Sequence, residues 1–169
     1  DFSGTNFPVT TIINETDSTY DNSSVTISWS GNEHAFSFSH RLEPLTYLDT
    51  VKTHLSWTEW SSNASVTYEN LDEGEYNFHI KSRYTIEIEE TPQTIAFIVD
   101  AVAGTSLRMY PLYQQVSVGE NFDMYIYIED VVDIGGLELH VSHPPSKMTA
   151  NSITTGTILS NSSIFFDTI

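Results

Sequence analysis

Serine, histidine and aspartate are all present in this 169-residue chain, but their spacing builds no catalytic arrangement. There is no Gly-x-Ser-x-Gly elbow to lift a hydroxyl onto a sharp turn, and no glycine-rich loop to cradle a phosphate. His140 and His143 stand three apart at a strand end, an odd separation that points their side chains to opposite faces, so they do not converge on a metal without a bend. Glu129, Asp130 and Asp133 lack the alternating oxygen ligands of a calcium loop. Glu87, Glu89 and Glu90 read as a solvated strand face. With no cysteine, neither a disulfide framework nor thiolate chemistry exists. The chain is therefore read as non-enzymatic, with no cofactor and no metal.

What remains is the chemistry of surfaces. Trp57 and Trp60 carry rings on which a sugar could stack. Four Asn-x-Ser/Thr sequons, at Asn14, Asn22, Asn63 and Asn161, are candidate sites for N-linked glycans. Six basic residues against 23 acidic ones give a formal charge of -17, which repels phosphate backbones and anionic lipid; nucleic acid is not an expected partner. No apolar run reaches the roughly 18 to 20 residues that cross a bilayer as a helix. Serine, threonine and asparagine make up about three residues in ten while lysine and arginine are scarce, a balance that points to an extracellular or cell-surface location. The chain starts at Asp1 rather than methionine, which is read as a removed leader or a piece of a longer polypeptide.

The elements that must position these residues are strands. Val25, Ile27 and Trp29 alternate with Thr26 and Ser28, and the same period of two recurs at Phe36 and Phe38, at Tyr76, Phe78 and Ile80, at Ile95, Phe97 and Val99, at Phe122, Met124, Ile126 and Ile128, and at Leu137, Leu139 and Val141. Short connections fall at Gly31-Asn32, Asp72-Glu73-Gly74, Gly119-Glu120, Gly135-Gly136 and Pro144-Pro145. The expected fold is all-β, two tandem β-sandwiches: residues 1–101 and, after the anchor-free segment Val102-Ala103-Gly104-Thr105, residues 102–169.

Within the first part, Val25 to Gly31, Phe38 to Pro44, Trp57-Thr58-Glu59-Trp60-Ser61 and the Leu71 to Phe78 run follow one another in an order that resembles the fibronectin- and immunoglobulin-like "triple tyrosine" sandwiches of prokaryotic surface proteins. That resemblance implies a spacer or docking module, and a tyrosine opening a strand just after a turn resembles the corner whose hydroxyl ties the turn down. In the second part, Leu107 to Pro111, Val116 to Phe122, Leu137 to His143 and Thr155 to Leu159 resemble the N-terminal half of a cohesin domain. Cellulosomal cohesins present an Asn-x-Asp pair to their dockerin; the corresponding stretch here is Gly136-Leu137-Glu138.

The last residues, Ser162 to Ile169, stop inside a strand-like run, and the second sandwich is expected to be incomplete. Its inward face, Phe122, Met124, Ile126, Ile128, Leu137, Leu139 and Val141, is then the expected partner interface, since leaving it open would forfeit roughly 10 to 20 kcal/mol of burial. The cover could be later strands of the same polypeptide, a strand donated by a neighbouring copy, or a smaller sandwich that closes on the first domain. Asp1 to Thr11, carrying Phe2, Phe7 and Val9, could be such a donor or a linker. The sequence thus suggests an adhesive, structural module of a cell-surface layer or filament, a glycoprotein whose partners are copies of itself or the rest of a longer chain. The alternative is a scaffold fragment that binds a dockerin or a glycan.

Overall fold

The computed structural model describes residues 7–45 and 55–156, and among these it contains strands, turns and irregular chain but no helix. Asn161, the Thr157 to Leu159 stretch, the Ser162 to Ile169 run and Asp1 to Asn6 lie outside the described residues. The chain divides into two compact units, Asp1–Val132 and Asp133–Ile169.

Among the described residues, ten strands lie in the first unit. In chain order they are β1 (Thr10–Ile12), β2 (Ser18–Tyr20), β3 (Val25–Gly31), β4 (Ser37–Pro44), β5 (Ser65–Tyr68), β6 (Gly74–Tyr84), β7 (Glu87–Ile88), β8 (Gln93–Val99), β9 (Ser106–Tyr110) and β10 (Tyr125–Glu129). One sheet has the order β1-β3-β5; a second has the order β2-β8-β6-β4, with β7 folded back on the end of β6. All pairings are antiparallel except β2 with β8. β9 and β10 form a separate antiparallel ribbon.

Alternation explains the sandwich. Val25, Ile27 and Trp29 of β3 face inward, as do Tyr76, Phe78 and Ile80 of β6 and Ile95, Phe97 and Val99 of β8, and all are buried in one cluster between the two sheets. Trp29 stacks on Phe78 across the sheets at 5.8 Å between ring centroids. Phe36, expected to share a face with Phe38, instead precedes β4; it is exposed and packs its ring 5.0 Å from Tyr84, while Phe38 is buried. At the end of β3 a side chain on Gly31 would collide with the Cβ of Ala35 and come within 2.9 Å of the Phe38 ring, so the close approach of the backbone requires glycine there.

One expectation is overturned by burial. Glu89 does not belong to a solvated face: Glu87 and Glu90 are exposed, but Glu89 is 9% exposed. Its carboxylate accepts from the Thr10 backbone N–H (3.1 Å) and hydroxyl (2.7 Å), and from the Ser82 backbone N–H and hydroxyl (both 3.0 Å). A buried acid survives only when its lone pairs are filled, and here the donors come from β1 and β6, so one side chain fastens the first strand to the second sheet. Residues 7–12 are likewise engaged at home: Asn32 accepts from the Val9 N–H and donates to the Phe7 carbonyl, and Thr10–Ile12 pairs with β3. Phe7 to Thr11 is thus part of the sandwich and not a free donor segment.

Replacing Glu89 with leucine keeps the volume but orphans the buried Thr10 and Ser82 amides. The Glu89→Leu variant is expected to lose about 2 to 4 kcal/mol of folding stability, read as a lower urea midpoint with an unchanged slope.

Candidate interaction surface

The ribbon of β9 and β10 sets several partly exposed apolar side chains side by side. Its register pairs Tyr125 with Tyr110, Ile126 with Met109, Tyr127 with Arg108, Ile128 with Leu107 and Glu129 with Ser106. Side chains alternate across a strand, so Ser106, Arg108, Tyr110, Tyr125, Tyr127 and Glu129 share one face, and Leu107, Met109, Ile126 and Ile128 share the other. On the first face Ser106 and Tyr110 are buried. On the second, Leu107 is 52%, Met109 44% and Ile126 39% exposed. Among the described residues each ribbon strand has a single partner, so both outer edges are open.

The buried face is held by charge. Arg108 lies 2.6 Å from a Glu129 carboxylate oxygen, 3.5 Å from Glu73 and 4.0 Å from Asp72. The Val102 N–H donates to Glu73 (2.9 Å) and the Leu112 N–H to Asp72 (2.8 Å), so the two acids grip the chain on either side of β9. Asp72 and Glu73 are presented by the turn into β6. Tyr76 sets that turn: its ring stacks 5.4 Å from Phe97 and its hydroxyl donates to the Asp72 carbonyl at 2.7 Å, the corner geometry expected from the sequence. Gly74, at φ 139°, supplies a backbone conformation that other residues rarely adopt. These contacts explain why Val102–Thr105, read from sequence as a boundary, lies inside the first compact unit.

Burial raises the Asp72 carboxyl, against the opposing pull of the Leu112 N–H and Arg108. Glu73 is pushed up to about 7, first by burial and then by the hydrogen bond and repulsion of Glu129; the Val102 N–H and Arg108 work the other way.

The sequence-expected interface falls in two places. Ile126 and Ile128 sit on the open ribbon face, with half-buried Phe122 and exposed Met124 just before β10. Leu137, Leu139 and Val141 lie in the second unit, whose described residues, 133–156, are all exposed and carry no strand. His140 meets Glu138 at 3.0 Å on that exposed segment. Leu107 and Met109 were missed. Their alternation is visible in the sequence, but only the pairing of β9 with β10 places them beside Ile126 and Ile128.

The tryptophans serve the fold. Thr58 and Ser61 donate their N–H groups to the His40 and Phe38 carbonyls, closing the open edge of β4. Trp57 lies under Lys81 (4.2 Å) and Arg41 (5.5 Å), and Trp60 under Arg83 (4.6 Å) and Lys81 (5.7 Å). Each contact is worth about 0.5 to 1 kcal/mol at an exposed site, and the rings a sugar would stack on are already engaged by cations. Among the described residues no group of three or more histidine, cysteine or acidic side chains is placed to hold a metal ion.

The sequons differ in their surroundings. The Asn14 amide donates to the Tyr20 hydroxyl (3.1 Å) and the Thr26 carbonyl (3.0 Å), and its oxygen accepts from the Ser28 N–H (2.7 Å). Asn22 and Asn63 are exposed. No protein-family model matches the chain, and no curated protein matches it.

Asn14 is therefore a structural residue. The Asn14→Ala variant is expected to lose about 1 to 3 kcal/mol of stability, while Asn22→Ala and Asn63→Ala stay within about 0.5 kcal/mol, compared by urea denaturation. In material made by a glycosylating host, peptide mass mapping should find glycan at Asn22 and Asn63 and an unmodified Asn14.

Proposed function

We propose that this chain is a non-enzymatic module of a prokaryotic cell-surface layer or filament that associates by burying the open ribbon face and adding strands to its edges. The observation that carries the reading is the apolar Leu107, Met109, Ile126 and Ile128 face, largely uncovered, on a ribbon whose two outer edges are unpaired among the described residues. Edge amides and carbonyls give the contact its direction, and alternate side chains give it register. The hydroxyl- and asparagine-rich, lysine-poor composition and the exposed sequons support an extracellular setting. The immunoglobulin-like and cohesin-like resemblances fit a surface scaffold. Dockerin or glycan binding is the weaker reading, because the Trp57 and Trp60 rings are engaged by cations.

Magnitudes limit the mode of association. Leu107, Met109 and Ile126 are about half exposed and Ile128 is partly buried, so covering the face recovers roughly 2 to 5 kcal/mol, at the low end of the 4 to 15 kcal/mol that association costs. A single contact of this kind is weak. Ordered assembly needs repeated contacts or a partner already tethered nearby, which is how a layer or filament is built.

Met109 and Ile126 face each other across the ribbon, so lysine at both places charges in the middle of the face. Light scattering and electron micrographs of the concentrated wild type should show ordered oligomers or polymers. The Met109→Lys/Ile126→Lys variant should run as a single chain, with a denaturation midpoint shifted by no more than about 0.5 kcal/mol. A wild type that stays monomeric and binds glycan saturably would overturn the reading.

A further inference from the structure

The Arg108 cluster does more than balance charge. Three carboxylates converge on one guanidinium, and each side chain is largely shielded: 12% exposed for Arg108, 15% for Asp72, 13% for Glu73 and 24% for Glu129. They come from separate elements, Asp72 and Glu73 from the turn before β6, Arg108 from β9 and Glu129 from β10. Asp100, after β8, and Asp130, after β10, line the same groove as Glu73 and Glu129. Fully ionised, three acids around one cation leave two uncompensated charges, with two more acids beside them. Shielded like charges repel strongly, because little water stands between them.

We propose that this cluster is a pH-sensitive latch: a proton shared between Glu73 and Glu129 lets Arg108 hold the ribbon on the β6 turn, and loss of that proton loosens the ribbon. The geometry concentrates the effect at one seam. Glu73, which faces Arg108, also accepts the Val102 N–H ahead of β9, and its neighbour Asp72 accepts the Leu112 N–H beyond it, so repulsion at Glu73 falls on the seam where the turn holds the ribbon. The near-neutral titration of Glu73 agrees in sign. Its folded value is raised from an ordinary 4.5 to about 7, so the folded state binds the extra proton. The stabilisation is complete below about 4.5 and is lost as pH rises through about 7. The latch does not depend on what the other face of the ribbon meets.

Hydrogen exchange of the intact chain tests this. Amide protection in β9 and β10, corrected for intrinsic exchange, is compared at about pH 5.5 and about pH 8, and the carboxyl carbons of Glu73 and Glu129 are followed by NMR. In the wild type, ribbon protection should fall roughly fivefold or more toward the higher pH while the sandwich core stays protected, and one of the two carboxyls should titrate near neutrality. Glu73→Gln, which keeps the shape and removes the charge, should hold the ribbon equally at both values. Every other ionisable group is the same in both proteins, so the difference isolates the latch. Glu129→Gln gives an independent second variant. Equal ribbon protection at both pH values in the wild type, or the same loss in both glutamine variants, overturns the proposal.

Discussion

A two-stranded ribbon is a single layer with two faces and two edges, and a single layer cannot hide both faces by itself. This constraint governs what the molecule can do. The β9–β10 ribbon turns its polar face, with Arg108, Tyr110 and Glu129, toward the turn that opens β6. Leu107, Met109, Ile126 and Ile128 are thereby directed outward, because the pleat permits no other choice. Fixing the one face determines the other, and the reading of function rests on that coupling.

The sandwich prepares the fixed face from several layers below it. Phe97 and Phe78 in the core support Tyr76 and Trp29; Tyr76 pins the Asp72 carbonyl; and Gly74 permits the backbone to deliver Asp72 and Glu73 to the ribbon. Glu89 has the same logic at the opposite end of β6, where a buried acid holds β1 against the second sheet. In both places an acidic side chain in an acid-rich protein is engaged internally and does not simply add surface charge.

Much of the sandwich is legible in the sequence, because Val25-Ile27-Trp29, Tyr76-Phe78-Ile80 and Ile95-Phe97-Val99 alternate cleanly and a period of two with one face buried leaves little freedom in register. The Tyr76 corner is legible for a local reason, as the turn and its tie are four residues apart. What escaped detection is non-local. Glu89 looks like its exposed neighbours until β1, which lies 79 positions earlier, supplies its donors. Leu107 and Met109 join the apolar face only through a pairing whose register no single strand encodes. The Arg108 cluster draws on residues 72, 73, 108 and 129, and its charges are ordinary until the fold brings them within 4.0 Å. At Leu137 to Val141 the alternation is not matched by a strand among the described residues.

Charge then decides how the outward face can be used. Of six lysines and arginines, Arg41, Lys81 and Arg83 lie over tryptophan rings and Arg108 lies among carboxylates. Little positive charge is left to attract a second copy of a chain that carries a formal -17. Long-range electrostatics therefore oppose self-association, and in the proposed assembly the attraction comes from apolar burial and edge hydrogen bonds acting at short range. Salt alters this balance in one direction. At an ionic strength of about 0.1 M the repulsion is screened beyond roughly 10 Å, and at about 1 M beyond roughly 3 Å, while the apolar contact is untouched or strengthened. An assembly built this way is favoured in concentrated salt and dissolves on dilution, the reverse of one held by ion pairs across its interface.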